Sequence, residues 1–440
     1  MATNLTTDLR SRIIRSSPFF YGWVIVGTSG LTVFFRNTAA TLTIAVFVFP
    51  MSEDLGWSRT AIVGASGAAG IASMFASPAA GWVLQRFGPR VLLTFSMLLL
   101  GGSIMSIRWV DNIVMFYLLF GVGRVIFSSP VQIGAATVVA QWFVARRGRA
   151  TSILGVMHSF GMGFFPLFAQ LVINVSGGEW RLAWFWMGLS VWIIALPPVF
   201  ALLVRQPEDV GLLPDNGEAA TKKTRSQRPG DSVEAQWSLR EAMHTPAMWM
   251  LALAGGLTFF IHSGVNIHQA AFLRDQGISA SVAASALTML AVGTAIGSVG
   301  WGWLLDRMQG RYVYALNALW VGVTSLMFLL VDSTAMAFVA ATVFGIGIGG
   351  LIVVPPVVIA EYFGRRSLGS IRGLTEPFVS GGQAIGAIGA GLIFDLTDSY
   401  TATFPVFTVA AVLGAVLILL SRRPGRATTG ATIARPGEAG

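Results

Sequence analysis

The sequence predicts an all-α membrane protein of twelve transmembrane helices in two pseudo-symmetric six-helix bundles, with both termini cytoplasmic. Three observations carry this expectation. The 440-residue chain is 54% hydrophobic and only 11% charged, against roughly 25% charged in an ordinary soluble domain. Its apolar residues gather into twelve stretches of about 20 residues or more, enough for each to cross a hydrocarbon core of about 30 Å as a helix. Two motifs also recur between the halves at an offset of about 220 residues, the spacing of internal six-helix repeats.

The stretches run 21–50, 59–84, 91–107, 113–140, 151–175 and 181–204, then 247–272, 280–305, 312–330, 334–360, 371–394 and 402–421. Residues 1–20 read as an N-terminal tail, 205–246 as a polar linker between bundles 21–204 and 247–421, and 422–440 as a C-terminal tail. With the N-terminus inside, 23 of the 29 Lys and Arg fall on inner segments. Four lie outside (Arg59, Arg108, Arg181, Arg274), and two sit within spans (Arg36, Arg124). That bias is the positive-inside pattern, so the net charge of +9 is topological and no nucleic-acid partner is expected. The absence of cysteine excludes disulfides, thiol catalysis and thiolate metal sites. The first apolar run lacks a small-residue cleavage site and reads as a retained helix.

Along the chain, span one carries Arg36 between Leu31-Thr-Val-Phe-Phe35 and Asn37-Thr-Ala-Ala. A guanidinium keeps its charge there, and at bilayer depth it implies an anionic ligand or a buried acid. Span four carries Arg124, either a second substrate contact in a doubly basic cavity or the partner of an acid from the other half. Span five holds His158 among Gly155, Gly161 and Gly163. Such small residues permit close helix packing, and the helices that carry them are candidates to rock against neighbours. In span seven His262 and Asn266 stand four apart and share a face. A histidine there could donate to an anion, carry a proton or serve as a helix contact. His268 lies nearer the outer end. Span eleven combines Gly381, Gly382, Gly386, Gly389 and Gly391 with Glu376, the one carboxylate clearly inside a span. Glu376 could switch protonation during a cycle, or form a fixed salt bridge with Arg124, Arg372 or another inner cation. Phe34, Phe35, Trp142 and Trp301 read as packing residues.

The repeated motifs are Gly81-Trp-Val-Leu-Gln-Arg-Phe-Gly-Pro-Arg90 with Gly302-Trp-Leu-Leu-Asp-Arg-Met-Gln-Gly-Arg311, and Gln141-Trp-Phe-Val-Ala-Arg-Arg-Gly148 with Glu361-Tyr-Phe-Gly-Arg-Arg366. The architecture and the first pair resemble the major facilitator superfamily, whose signature between helices two and three has a weaker copy between eight and nine. This resemblance implies gating roles for Arg86, Arg90, Asp306 and Arg307, with Gln85 standing where an Asp is usual. A narrower resemblance is to the monocarboxylate porters and oxalate/formate exchangers. It rests on Tyr21-Gly-Trp-Val-Ile-Val, Asp54-Leu-Gly-Trp-Ser-Arg59, Phe363-Gly-Arg-Arg-Ser-Leu-Gly369, Gly391-Leu-Ile-Phe-Asp-Leu-Thr-Asp-Ser-Tyr400 and, as in bacterial members, Pro207-Glu-Asp-Val-Gly-Leu-Leu-Pro-Asp215. The group's basic residues of helices eight and eleven have no counterpart deep in either helix on this reading.

Enzyme signatures are missing, since Gly121-Val-Gly lacks the Gly-Lys-Ser/Thr ending of a phosphate loop. The expectation is therefore a secondary transporter of a small organic anion, with a monocarboxylate favoured, working by alternating access at the bundle interface. Arg36, Arg124, His262 and Asn266 would bind substrate, and Glu376 and His158 would couple protons, with symport favoured over anion exchange. An exporter of another small solute is a further alternative, and a transporter-like receptor is the remote one. No cofactor is expected. The partners are a small organic anion, protons and membrane lipid, and the chain is expected to act as a monomer in the bacterial inner (plasma) membrane.

Overall fold

The computed structural model describes residues 19–217 and 236–424, all helical or connecting segments with no strand among them. Most of the expected N-terminal tail, the centre of the linker at 218–235 and most of the C-terminal tail lie outside the described residues. The helices are α1 (Gly22–Phe35), α2 (Thr41–Leu55), α3 (Arg59–Ser106), α4 (Ile113–Ser128), α5 (Pro130–Trp142), α6 (Arg147–Val175), α7 (Trp180–Ser190) and α8 (Leu196–Leu202). Beyond the linker come α9 (Leu239–Met243), α10 (Pro246–Asp275), α11 (Ala280–Leu305), α12 (Gly310–Ser325), α13 (Thr334–Phe363), α14 (Leu368–Thr397) and α15 (Thr403–Leu420). Short polar residues set many starts by accepting from orphan backbone N–H groups. Ser58 caps α3 through Ala61, Asn112 caps α4 through Met115, and Thr245, Ser279 and Ser333 cap α10, α11 and α13.

Eleven helical stretches are long and apolar enough to cross a membrane, one fewer than the sequence suggests, because spans two and three form one run, Arg59–Trp109, of 51 residues. At 1.5 Å per residue a straight helix of that size would extend about 75 Å. It does not run straight. Gly88 adopts φ 83°, ψ 168°, a left-handed-side conformation open to glycine, and Pro89 restarts the helix. Two expected single helices are instead interrupted. Span one breaks at a 3₁₀ turn over Arg36–Ala39 followed by extended Ala40 (φ −75°, ψ 157°), and span four breaks at Ser129, just before Pro130.

Packing divides along the linker. One core is built from Tyr21 to Val204, with Phe47 stacked on Trp184 at 3.9 Å. Two further cores draw on Trp237 to Ile418, joined by Ala140 from the first half. The halves meet along two seams, α3 with α14 and α6 with α11, and the duplicated motif builds both. Gly81 lies so close to α14 that a Cβ would come within 2.7 Å of Gly369 O and 2.9 Å of Gly373 Cα. Its repeat partner Gly302 sits against Gly148 at the start of α6 in the same manner. Small residues allow this backbone approach between membrane helices.

Candidate functional site

Both helix breaks open onto one cavity. At the first, the Asn37 amide donates to Val33 O (2.9 Å) and Phe34 O (3.2 Å), and the Thr43 hydroxyl donates to Asn37 O (2.7 Å). These bonds satisfy main-chain groups that the interrupted ladder leaves free. At the second, Pro130 has no N–H, and the Phe127 carbonyl nearby accepts from Arg36 Nη1 at 3.1 Å. The same Nη1 donates to Gln132 Oε1, and Nη2 lies 3.3 Å from His158 Nδ1. That imidazole nitrogen also faces the Asn37 amide at 3.4 Å. Two donors point at Nδ1, so it accepts and the ring proton resides on Nε2.

The cavity has a volume of about 130 Å³ and lies between the halves. Six residues anticipated from sequence line it together: Arg36, Arg124, His158, His262, Asn266 and Glu376. The Arg36 and Arg124 guanidinium carbons stand 4.6 Å and 4.4 Å from the centroid of one ring, Phe127, within cation–π range. Of the two sequence alternatives for Arg124, the acid partner does not materialise among the described residues. Its Nε and Nη1 are buried without a hydrogen-bond partner, as is Arg36 Nε. His262 Nδ1 is likewise unpartnered, and the ring packs edge-on against Phe259. His268 lies elsewhere, bonded to the Tyr400 hydroxyl (3.0 Å) and the Ala387 carbonyl (2.9 Å).

Glu376 pairs with Arg372 one turn earlier, Oε2 to Nη2 at 3.7 Å. Arg372, within the first two turns of α14, is buried at the interface although it is not deep along the span. It is 4% exposed and donates across the interface to Gln132 O (3.0 Å) and Ile133 O (3.3 Å). Its position at the edge of the apolar stretch concealed its burial. Both residues also line a second cavity of about 30 Å³ with Thr375 and Tyr314, so Glu376 borders both spaces.

Of the anticipated gating residues, Asp306 spans a seam. Its carboxylate accepts from Gly148 N (2.8 Å) and Arg149 N (3.3 Å) at the start of α6 and pairs with Arg149 Nε at 3.3 Å. Burial pushes its carboxyl above the ordinary range, opposed by those two N–H groups. At the repeat position Gln85 donates to Arg366 O at 2.7 Å, so an amide makes the second crossing. Arg86 and Arg307 are exposed and lie over the rings of Phe87 (6.0 Å) and Trp303 (3.8 Å), and Arg90 lies over Phe200 at 4.8 Å. Cavity residues not foreseen from sequence are Asn37, Phe127, Ser128, Gln132, Ser380 and Gln383. Pro130 was the available signal for those on span four.

The sequence matches the description Major Facilitator Superfamily over residues 29–272 and again over 251–437. The chain belongs to the Major Facilitator Superfamily. It is similar to Monocarboxylate transporter 12 of Homo sapiens, 23% identical over 91% of this chain and 80% of that protein. It is also similar to the Glycerol-3-phosphate transporter of Bacillus subtilis (strain 168), 23% identical over 92% of this chain and 91% of that one. Among solved structures it resembles the human organic anion transporter MFSD10 (TETRAN), with TM-score 0.68 and 14% identity over 92% of this chain and 100% of the other. That likeness gives the major facilitator fold. The chain is thus a multi-pass membrane transporter of this superfamily and not an enzyme.

Proposed function

We propose that this major facilitator protein is a secondary active carrier of a small organic anion of the carboxylate class, moved by alternating access. The observation that carries this reading is Arg124, a half-buried residue whose guanidinium Nε and Nη1 are buried and unpartnered, sharing the Phe127 ring with Arg36. An idle charge at that depth costs at least a few kcal/mol, and an anion entering the cavity offsets that cost. The cavity lies between the two halves, where carriers of this kind place their substrates. Relatives named monocarboxylate transporters support a carboxylate as the cargo.

In this reading Arg59–Ser106 crosses twice, turning at Gly88, which makes twelve crossings in bundles 21–204 and 247–421. The positive-inside bias supports cytoplasmic termini, with the linker and the basic turns beside both seams on the same side. Contacts at both seams support a state closed at that basic end. Glu376 is the proposed proton carrier, since it borders both cavities and its partner Arg372 reaches across the interface. Its protonation would weaken the 3.7 Å pair. His158 accepts from Arg36, a geometry that supports a positioning role over proton carriage. A single chain holds the whole cavity, which supports action as a monomer, and the bacterial plasma membrane is the proposed location.

The test is uptake of labelled short carboxylates by liposomes containing the purified protein, with and without an inward proton gradient. Gradient-stimulated accumulation is expected. Uptake only after preloading with an anion would assign exchange, and no flux under either condition would remove the carboxylate reading.

A further inference from the structure

We propose that the cavity holds its substrate by two ends and that this substrate is a short dicarboxylate. The inference rests on the carboxylate reading above and follows from the charge balance of the walls. The charged side chains lining the cavity are Arg36, Arg124 and Glu376, and Arg372 stands 3.7 Å behind Glu376. That pair is internally matched. Two guanidiniums remain, and no described carboxylate comes within ion-pair distance of either. Arg36 spends its Nη groups on neutral acceptors, namely Gln132, the Phe127 carbonyl and His158. Hydrogen bonds to neutral groups orient a guanidinium without cancelling its charge. One carboxylate entering this site therefore compensates one cation and leaves the other unmatched, which is unfavourable away from water. A dianion compensates both.

Geometry agrees with the count. The two guanidinium carbons lie 4.6 Å and 4.4 Å from one ring centroid, so they stand at most about 9 Å apart. Carboxyl carbons of a four-carbon diacid are roughly 4 Å apart when extended, given C–C bonds of about 1.5 Å. Each planar carboxylate can then meet its own planar guanidinium, the pairing that guanidinium geometry favours. The volume of about 130 Å³ falls below the roughly 300–1,000 Å³ of sites for drug-sized ligands, as a compact diacid requires. Across the cavity, beside the Arg372-paired Glu376, the wall carries the uncharged Asn266, Thr294, Ser380 and Gln383. These groups can hydrogen-bond a substituent between the two acid ends and bring no third charge.

The decisive experiment compares succinate with butyrate, which share a four-carbon chain and differ by one carboxylate. Equilibrium binding of each is measured on the purified full-length protein. The expected result is succinate binding at least tenfold tighter, with Arg124→Gln lowering succinate affinity far more than butyrate affinity and closing the gap to less than threefold. Because the comparison is made first on the unaltered protein, a misfolded variant cannot decide it. Butyrate binding as well as succinate would overturn the two-ended site and leave the carboxylate carrier standing. Preference for inorganic phosphate over succinate would also overturn it, by placing both charges on one group. Binding of none of the three would overturn the carboxylate reading itself.

Discussion

Asp306→Ala removes the acceptor on which the α6/α11 seam converges, and its effect can be worked from the contacts. Gly148 N donates at 2.8 Å, Arg149 N at 3.3 Å and Arg149 Nε at 3.3 Å. A hydrogen bond to a charged group contributes about 1.5–3 kcal/mol. The longer contact and the ion pair, whose arginine side chain is 53% exposed, add little, about 0–1 kcal/mol. Opening the seam returns these N–H groups to water, so the net loss falls near 2 kcal/mol, a shift of roughly 30-fold toward the open seam. The chain has no cysteine, so a single Thr375→Cys beside the 30 Å³ cavity gives one thiol that reports access from the basic end. Maleimide labelling should proceed about 30-fold faster when Asp306→Ala is added, and Asp306→Asn, which keeps an acceptor, should fall between. Labelling rates within twofold, in proteins of equal thermal stability, would refute the assignment of this contact as a latch.

Three further outcomes follow from the same geometry. The Asp306 carboxyl is raised in the closed seam and returns toward about 3.9 in water, so closing takes up a proton. Protonation of Asp306 therefore adds to closure below the ordinary carboxylate value, and that added part, beyond the acceptor contacts themselves, is lost as pH rises through the raised one; Thr375→Cys labelling should speed up across that window, and the dependence should vanish in Asp306→Asn. Glu376→Gln should abolish accumulation driven by a proton gradient while retaining counterflow of the same anion, and unchanged gradient-driven uptake would remove Glu376 from coupling. Arg36→Ala should lower anion affinity at least a hundredfold with normal membrane insertion, read by equilibrium binding on purified protein.

Much of the architecture was legible because lipid imposes it: apolar length marks the helices long enough to cross. Arg36, Arg124 and Glu376 were legible for the same reason, since charges in apolar runs stand out. What stayed hidden depended on contacts between distant segments. The break at Arg36–Ala39 has no glycine or proline to announce it and is held by Asn37, Thr43 and the neighbouring helix. Arg372 sits at the edge of an apolar stretch, where sequence cannot separate a loop cation from one buried beneath α5. Gln132 and Gln383 are neutral, and composition alone gives them no prominence. The fused run Arg59–Ser106 shows the converse, for apolar length marked two stretches while one glycine decided how they connect.

The two copies of the duplicated motif do not make equal contacts. Asp306 holds its seam with a carboxylate accepting backbone N–H groups, whereas Gln85 holds the other by giving an amide proton to the Arg366 carbonyl. Neutral hydrogen bonds contribute about 0.5–1.5 kcal/mol, roughly half of the charged kind. The difference of acid and amide between the two copies is therefore expected to order the opening: on these two contacts the α3/α14 side yields first, and the α6/α11 side serves as the pivot about which the halves begin to part.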